Sequence, residues 1–259
     1  MSVFWILAAV VLIYLLMRAF NRTDRTATPP PTADEKQQLE QTLDAVARLH
    51  GPQRTRLWEH IGAFLADKDF YGCNGLDVTR EMALVIAAYA CLLTLRRDGA
   101  PYPQLRSVLV YPDAFLVRDP EPDELGIVHE EPEVRIGESW DAQRIVLSWP
   151  DVEDAMAGGP TNVVVHECAH QLDPDGVGRP PDVRDPAWPA AMAAAYATLC
   201  REPSAVIDDY GAESPAEFFA VAVESYVQRP EALAAHHSDV HRCLERYFRC
   251  APLRQDLDG

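Results

Sequence analysis

The segment VVVHECAHQL, residues 163–172, constrains this chain most, because it places two histidines four residues apart with a glutamate between them. Residues four apart lie on one face of a helix, so His166 and His170 can bind one metal ion. Glu167 lies about 100° further round the helix, beside such an ion rather than on it. There it can take a proton from a water molecule. The flanking valines and Leu172 predict that the helix is buried.

A catalytic zinc ion usually has three protein ligands and one open position, so a third ligand is expected downstream. Asp173 shares the helix face and is at least as well suited to orienting a histidine. Glu217 lies in a second predicted helix, with Ser214 as its N-cap and Pro215 as its first residue. Since Ser214-x-x-Glu217 is also a capping box, the residues alone leave ligand and cap both open for Glu217. The candidate third ligands are Asp173, Asp208, Asp209, Glu213, Glu217 and Glu224.

The remaining histidines and cysteines do not indicate a second catalytic or structural metal site. His237 and His241 are also four residues apart, but their polar surroundings predict a solvated helix face. Cys168 faces away from the two motif histidines, which predicts a small core residue. The six cysteines contain no CxxC pair, so a structural zinc closed by four ligands is not indicated. The net charge of -17 argues against a direct nucleic-acid partner.

The order of the predicted elements indicates an α+β fold. Apolar residues recur at helical spacing from Lys36 to about Arg97, and the chain is predicted to be helical again after Pro160. The acidic run at 119–124 is predicted to be a solvated loop. Short strand candidates lie between the two helical sections, at 107–111, 114–117, 126–128, 133–136 and 144–149, and they predict a small mixed sheet.

The amino-terminal residues 3–20 are apolar apart from Arg18. As a helix they would be about 27 Å long, close to the thickness of the hydrocarbon core of a bilayer. A cleaved signal peptide is the alternative, but the basic residues follow the apolar run instead of preceding it. We therefore expect a single-pass inner-membrane protein with a cytoplasmic body. The predicted divisions are an anchor at 1–20, a proline-rich linker at 21–35 and a metallopeptidase domain at 36–259.

The segment HECAHQLD, followed from residue 208 by DDYGAESPAEFFAVAVESY, resembles the Mlc titration factor A family of zinc metallopeptidases, peptidase family M90. The resemblance covers roughly residues 54–247 and implies a zincin-like fold. It implies an active site similar to that of the anthrax lethal factor catalytic domain, with Glu217 as the third zinc ligand. Tyr210, seven residues earlier, would donate a hydrogen bond near the zinc. The resemblance also implies aminopeptidase-type activity on peptides or proteins, and the transcriptional repressor Mlc as a partner.

The sequence therefore predicts a zinc-dependent peptidase. The two motif histidines and Glu217 hold the Zn²⁺, a water occupies its fourth position, and Glu167 acts as the general base. Tyr210 stabilises the oxyanion as it develops. The strand predicted at 144–149 would pair with an extended substrate by strand addition. The alternative function is a non-enzymatic regulatory protein that binds a transcriptional repressor and retains a zinc site.

Overall fold

The computed structural model describes residues 28–113 and 143–248, in which helices surround a three-stranded sheet. This part of the chain confirms the α+β architecture with a helical majority. In chain order its elements are α1 (Ala33–Thr42), α2 (Asp44–Ala47), α3 (Gly51–Asp67), β1 (Asp69–Gly72), α4 (Arg80–Leu92), β2 (Ser107–Tyr111), β3 (Arg144–Ser148), α5 (Trp149–Met156), α6 (Val163–Leu172), α7 (Trp188–Leu199), a 3₁₀ helix (Asp209–Ala212), α8 (Pro215–Gln228), α9 (Pro230–His236) and α10 (Ser238–Phe248).

The strands lie in the order β1-β2-β3, and both strand pairs are parallel. The described residues therefore form a parallel sheet and not the mixed sheet expected from the sequence. Phe70, Val108 and Ile145 are aligned across the three strands. Parallel neighbours need a crossover connection, and α4 lies in the one that joins β1 to β2. Alternate residues of β2 and β3 are fully buried, so one face of the sheet forms part of the core.

The motif helix α6 lies at the centre of the structure. It packs against β3, α4 and α8. α4 is buried along its length from Met82 to Leu92, and α8 is buried from Phe218 to Val227. Burial on this scale is the main source of helix stability in a folded domain. Two core helices and a strand therefore hold α6 in place.

The strand predictions are confirmed at β2 and β3, although Trp149 begins α5 instead of ending β3. The other three strand candidates lie in 114–142, outside the described residues. The expectation of an uninterrupted helical section up to Arg97 is wrong at β1. This four-residue strand forms by pairing with β2, and its flanking backbone bonds run from Asp69 N to Arg106 O and from Cys73 N to Val110 O.

The predicted anchor and most of the predicted linker lie in residues 1–27, outside the described residues. Within 28–113 and 143–248, no helix has the length and apolar character needed to cross a membrane. The described fold begins slightly before residue 36, because Thr32 caps α1 in a capping box with Glu35. Glu35 also forms an ion pair with Arg80 of α4, with 2.9 Å between Oε1 and Nε.

Candidate metal centre

Helix α6 presents the three motif side chains on its less buried side. Asn162 is its N-cap, and the side-chain oxygen of Asn162 accepts a hydrogen bond of 3.1 Å from the Val165 backbone N–H. The opposite side of the helix is buried, and it includes Cys168, which confirms that this cysteine is a core residue. Because that face is fixed in the core, His166 and His170 lie on the side of the helix that meets Glu217 of α8. Glu167 is a neighbour of His166 on the same helix.

Helix α8 brings Glu217 to the two histidines. Ser214 caps the helix by accepting a hydrogen bond of 3.1 Å from the backbone N–H of Glu217, and Pro215 is the first helical residue, both as predicted. The carboxylate of Glu217 reaches the imidazoles: its Oε2 lies 3.1 Å from His166 Nε2 and 3.3 Å from His170 Nε2. Glu217 therefore supplies its backbone N–H to the cap and its side chain to the histidines.

The spacing of these three ligand atoms fits a tetrahedral metal ion. The Nε2 atoms of His166 and His170 are 3.1 Å apart, which completes a nearly equilateral triangle with Glu217 Oε2. A tetrahedral ion with bonds of about 2.0–2.1 Å holds its ligand atoms about 3.3 Å apart. Glu217 Oε2 is also buried and accepts no hydrogen bond, as expected for an oxygen suited to a cation. In 28–113 and 143–248, no other group of three His, Cys, Asp or Glu residues converges in this way.

The charges around His166 favour a positively charged species at the site. Burial opposes the charged form of the imidazole, but Glu217 and Glu224 outweigh it and raise the pKa of His166 to about 10. His166 in turn lowers the pKa of the Glu217 carboxyl, which is therefore anionic. Burial lowers the pKa of His170, so its neutral form is favoured. A metal ion bound here would have to displace the proton of His166, so its binding would release a proton and weaken as the pH falls.

Glu167 is held next to the three converging side chains without joining them. Burial raises the pKa of its carboxyl, and the negative charges of Glu217 and Glu224 act in the same direction, against the effect of His166. A carboxylate with a raised pKa beside a metal site is a stronger base than a solvated one.

Tyr210 lies at the edge of the same site. Its ring centroid is 5.9 Å from that of His166, and 48% of its surface is exposed. The 3₁₀ helix that carries it packs on α8. The two are close at Gly211, where an added Cβ would lie 3.4 Å from the Phe218 Cα atom. Burial, Glu217 and further carboxylates raise the pKa of the Tyr210 phenol, so it remains a hydrogen-bond donor at neutral pH.

The other candidate ligands lie elsewhere. Glu224 contacts the far side of the His166 ring, with 2.8 Å between Oε1 and Nδ1. Asp208 caps the 3₁₀ helix, in which Asp209 occupies the first turn, and Glu213 ends it. His241 is buried next to the Tyr226 ring, and His237 bonds to Ser204, so this pair does not form the solvated face expected of it.

Asp173 ends α6 and supports the loop that follows. Its buried side chain accepts a hydrogen bond of 2.6 Å from Gly178 N–H. Gly178 has a φ of +70°, and a Cβ there would lie 2.3 Å from the carbonyl oxygen of Pro215. Only glycine permits this contact between the loop and the start of α8. The contact lies two residues from Glu217, so the loop connects the end of α6 to the turn that carries the third candidate ligand.

Known proteins are similar to this chain over most of its length. The model of the glucose-regulated metallo-peptidase M90 family matches residues 17–249. The chain belongs to this family. An uncharacterized protein of Synechocystis is 40% identical over 228 residues, covering 82% of this chain and 82% of the relative. Proteins named Mlc titration factor A from Serratia proteamaculans and Yersinia pestis are 32% and 31% identical, covering 87% and 86% of this chain and 92% and 88% of the relatives.

Membership of the M90 family confirms the resemblance drawn from the sequence motifs. A metallo-peptidase family implies a metal ion and supports a metallopeptidase-type function for this chain. In the described residues, the group that could hold such an ion is His166, His170 and Glu217. The contact between Glu224 and His166 was missed from the sequence, where Glu224 was only one of several candidate ligands. Its spacing of seven residues from Glu217, two turns along one helix face, is the signal that could have indicated it.

Proposed function

We propose that this M90 family member is a zinc-dependent peptidase whose metal ligands are His166, His170 and Glu217. The observation that carries the proposal is the triangle of ligand atoms, 3.1, 3.1 and 3.3 Å on its sides. Two imidazoles and one carboxylate are a ligand set of catalytic zinc sites, which keep one position open. When bound, zinc supplies a Lewis acid that lowers the pKa of water toward neutrality and polarises a peptide carbonyl.

Glu167 is the general base in this proposal. It takes a proton from the attacking water while the water oxygen forms a bond to the peptide carbonyl carbon. Glu167 then gives the proton to the leaving nitrogen as the C–N bond breaks, which releases an amine and a carboxylate. Its place beside the metal ligands on α6, without contact to their converging atoms, supports this role.

Tyr210 donates a hydrogen bond to the oxyanion that develops on the carbonyl oxygen. We expect Tyr210→Phe to lower turnover by about 10²–10³-fold, the usual cost of losing one such donor, while the zinc content is unchanged. Steady-state kinetics on a peptide substrate and metal analysis of the same sample measure both effects. Tyr71→Phe is the matched control, because Tyr71 is a similarly exposed tyrosine on β1. Normal turnover in Tyr210→Phe would return Tyr210 to a packing role.

Hydrolysis of peptides tests the proposed function directly. The full chain, purified in detergent micelles, is incubated with a peptide library, and the new termini are identified by mass spectrometry. We expect cleavage that a zinc chelator abolishes and added Zn²⁺ restores. Removal of single residues from the amino end would indicate an aminopeptidase, and internal cuts an endopeptidase. Absence of cleavage by the zinc-loaded chain, or cleavage equal to that of a Glu167→Gln preparation, would contradict the proposal.

A second candidate function is regulatory binding of a transcriptional repressor. The name Mlc titration factor A, carried by the Serratia and Yersinia relatives, supports this candidate. The donor set favours the peptidase, because a structural zinc is normally closed by four protein ligands and usually includes cysteine. Cys168 is on the same helix, but it is fully buried on the opposite side.

A further inference from the structure

Glu224 makes two hydrogen bonds that together link the candidate metal site to the frame of the protein. Its Oε1 lies 2.8 Å from His166 Nδ1, and its Oε2 accepts a hydrogen bond of 2.5 Å from the Asn162 backbone N–H. The carboxylate is 5% exposed. Asn162 is the N-cap of α6, so Glu224 binds both the start of the motif helix and its first histidine.

Helix α8 therefore contacts the His166 ring from both sides. Glu217 lies at Nε2 and Glu224, seven residues later, lies at Nδ1. An imidazole that uses Nε2 for a metal ion must carry its proton on Nδ1, where it donates to a nearby acceptor. Glu224 offers that acceptor at hydrogen-bond distance.

We propose that Glu224 is a positioning residue, which holds the His166 ring with its proton on Nδ1 and Nε2 directed at the metal ion. This inference rests on the metal site of the proposed function. The sequence suggested Asp173 for such a role, but the side chain of Asp173 is bonded to Gly178 N–H. Glu224 does not bind the ion, and its effect on metal binding passes through His166.

A glutamine at position 224 cannot satisfy both partners. The Asn162 N–H and the His166 Nδ1–H are both donors, and an anionic carboxylate accepts from both. The glutamine amide has one oxygen, so its NH₂ group must face one of these donors. It either leaves the Asn162 N–H without an acceptor or moves the histidine proton to Nε2, where it competes with the metal ion.

The experiment measures the zinc affinity of the full chain by competition with a chromophoric chelator. We expect Glu224→Gln to weaken zinc binding by about 10–100-fold, the typical cost of losing a partner that orients a ligand. Glu167→Gln is the charge-matched control, since it removes one negative charge beside the site without touching His166 Nδ1. An equal loss of affinity in the two variants would overturn the proposal, because charge alone would then explain it.

Gln228→Ala is the matched control for the fold. Gln228 also connects α8 to the start of α6, through the Asn162 side chain and the Gly159 carbonyl, but it does not touch His166. We expect Gln228→Ala to lower the thermal midpoint of the metal-free chain with little change in zinc affinity. If Glu224→Gln behaves in the same way, Glu224 only supports the fold.

A second measurement uses the unmodified chain and does not depend on how a variant folds. In a zinc-loaded sample with ¹⁵N-labelled histidine, we expect His166 to carry its proton on Nδ1 and none on Nε2. A bare Nδ1 would overturn the positioning role even if zinc is bound. If the unmodified chain binds no zinc, the proposed metal site itself fails. If it binds zinc but His166 Nδ1 carries no proton, or Glu224→Gln behaves like a control, only the positioning role of Glu224 fails.

Discussion

Glu167→Gln is expected to lower peptide turnover by about 10²–10⁴-fold, the range that general acid–base catalysis contributes. Glutamine has nearly the same size and keeps the helix, but it cannot take a proton from water. The three ligand atoms come from other residues, so the variant is expected to retain its zinc. Single-substrate kinetics should therefore show the loss of turnover, and elemental analysis of the same sample should show an unchanged zinc content.

The same variant separates the two candidate functions. A peptidase loses its activity with Glu167, whereas binding of a repressor by a non-enzymatic protein has no need of a general base. Glu153→Gln, a carboxylate on α5 outside the site, is the control for the change of side chain itself. Retained turnover in Glu167→Gln would remove Glu167 as the base and require another proton acceptor at the site.

Glu217→Ala is expected to have the largest effect on metal retention. Removal of one of three protein ligands should cost more than the roughly 10–100-fold typical of an orienting partner, so the purified variant should contain little zinc and hydrolyse no peptide. The helix cap is expected to survive, because Ser214 accepts its hydrogen bond from the backbone N–H of residue 217. The substitution therefore tests the carboxylate and not the cap.

Metal content after gel filtration measures this effect, with Glu213→Ala as the matched control. Glu213 is an exposed carboxylate four residues earlier, at the end of the 3₁₀ helix. If Glu217→Ala contains as much zinc as the unmodified chain, Glu217 is not a metal ligand. Its role is then limited to the start of the helix, and the third ligand must be another group. Circular dichroism of both variants shows whether the helices are retained.

The parts of the fold that depend on local signals could be predicted from the sequence. Helix α8 was predicted from Ser214 and Pro215, and α6 from the valine-flanked histidine pair, because caps and apolar spacing act within a few residues. Strand β1 was missed, since its four residues carry little pattern and its conformation depends on pairing with β2, more than 30 residues away.

The candidate site shows the same division between local and distant interactions. His166 and His170 share a face of any helix, so their proximity follows from spacing alone. Glu217 lies 47 residues beyond His170. Its position in the sequence is compatible with a ligand and with a helix cap, and only the family resemblance favours the ligand. The seven-residue spacing places Glu224 on the helix face of Glu217, but its contact with His166 Nδ1 also depends on how α6 and α8 pack against each other.

The contact between Gly178 and Pro215 has a consequence for the ion. The imidazoles belong to one helix and the carboxylate to another, so the three atoms keep their spacing only while the two helices keep their separation. A methyl group at position 178 would lie 2.3 Å from the Pro215 carbonyl oxygen, so we expect Gly178→Ala to displace the start of α8, two residues before Glu217. Retention of the proposed cation would thus depend on Gly178, a residue that contributes no side chain to the site.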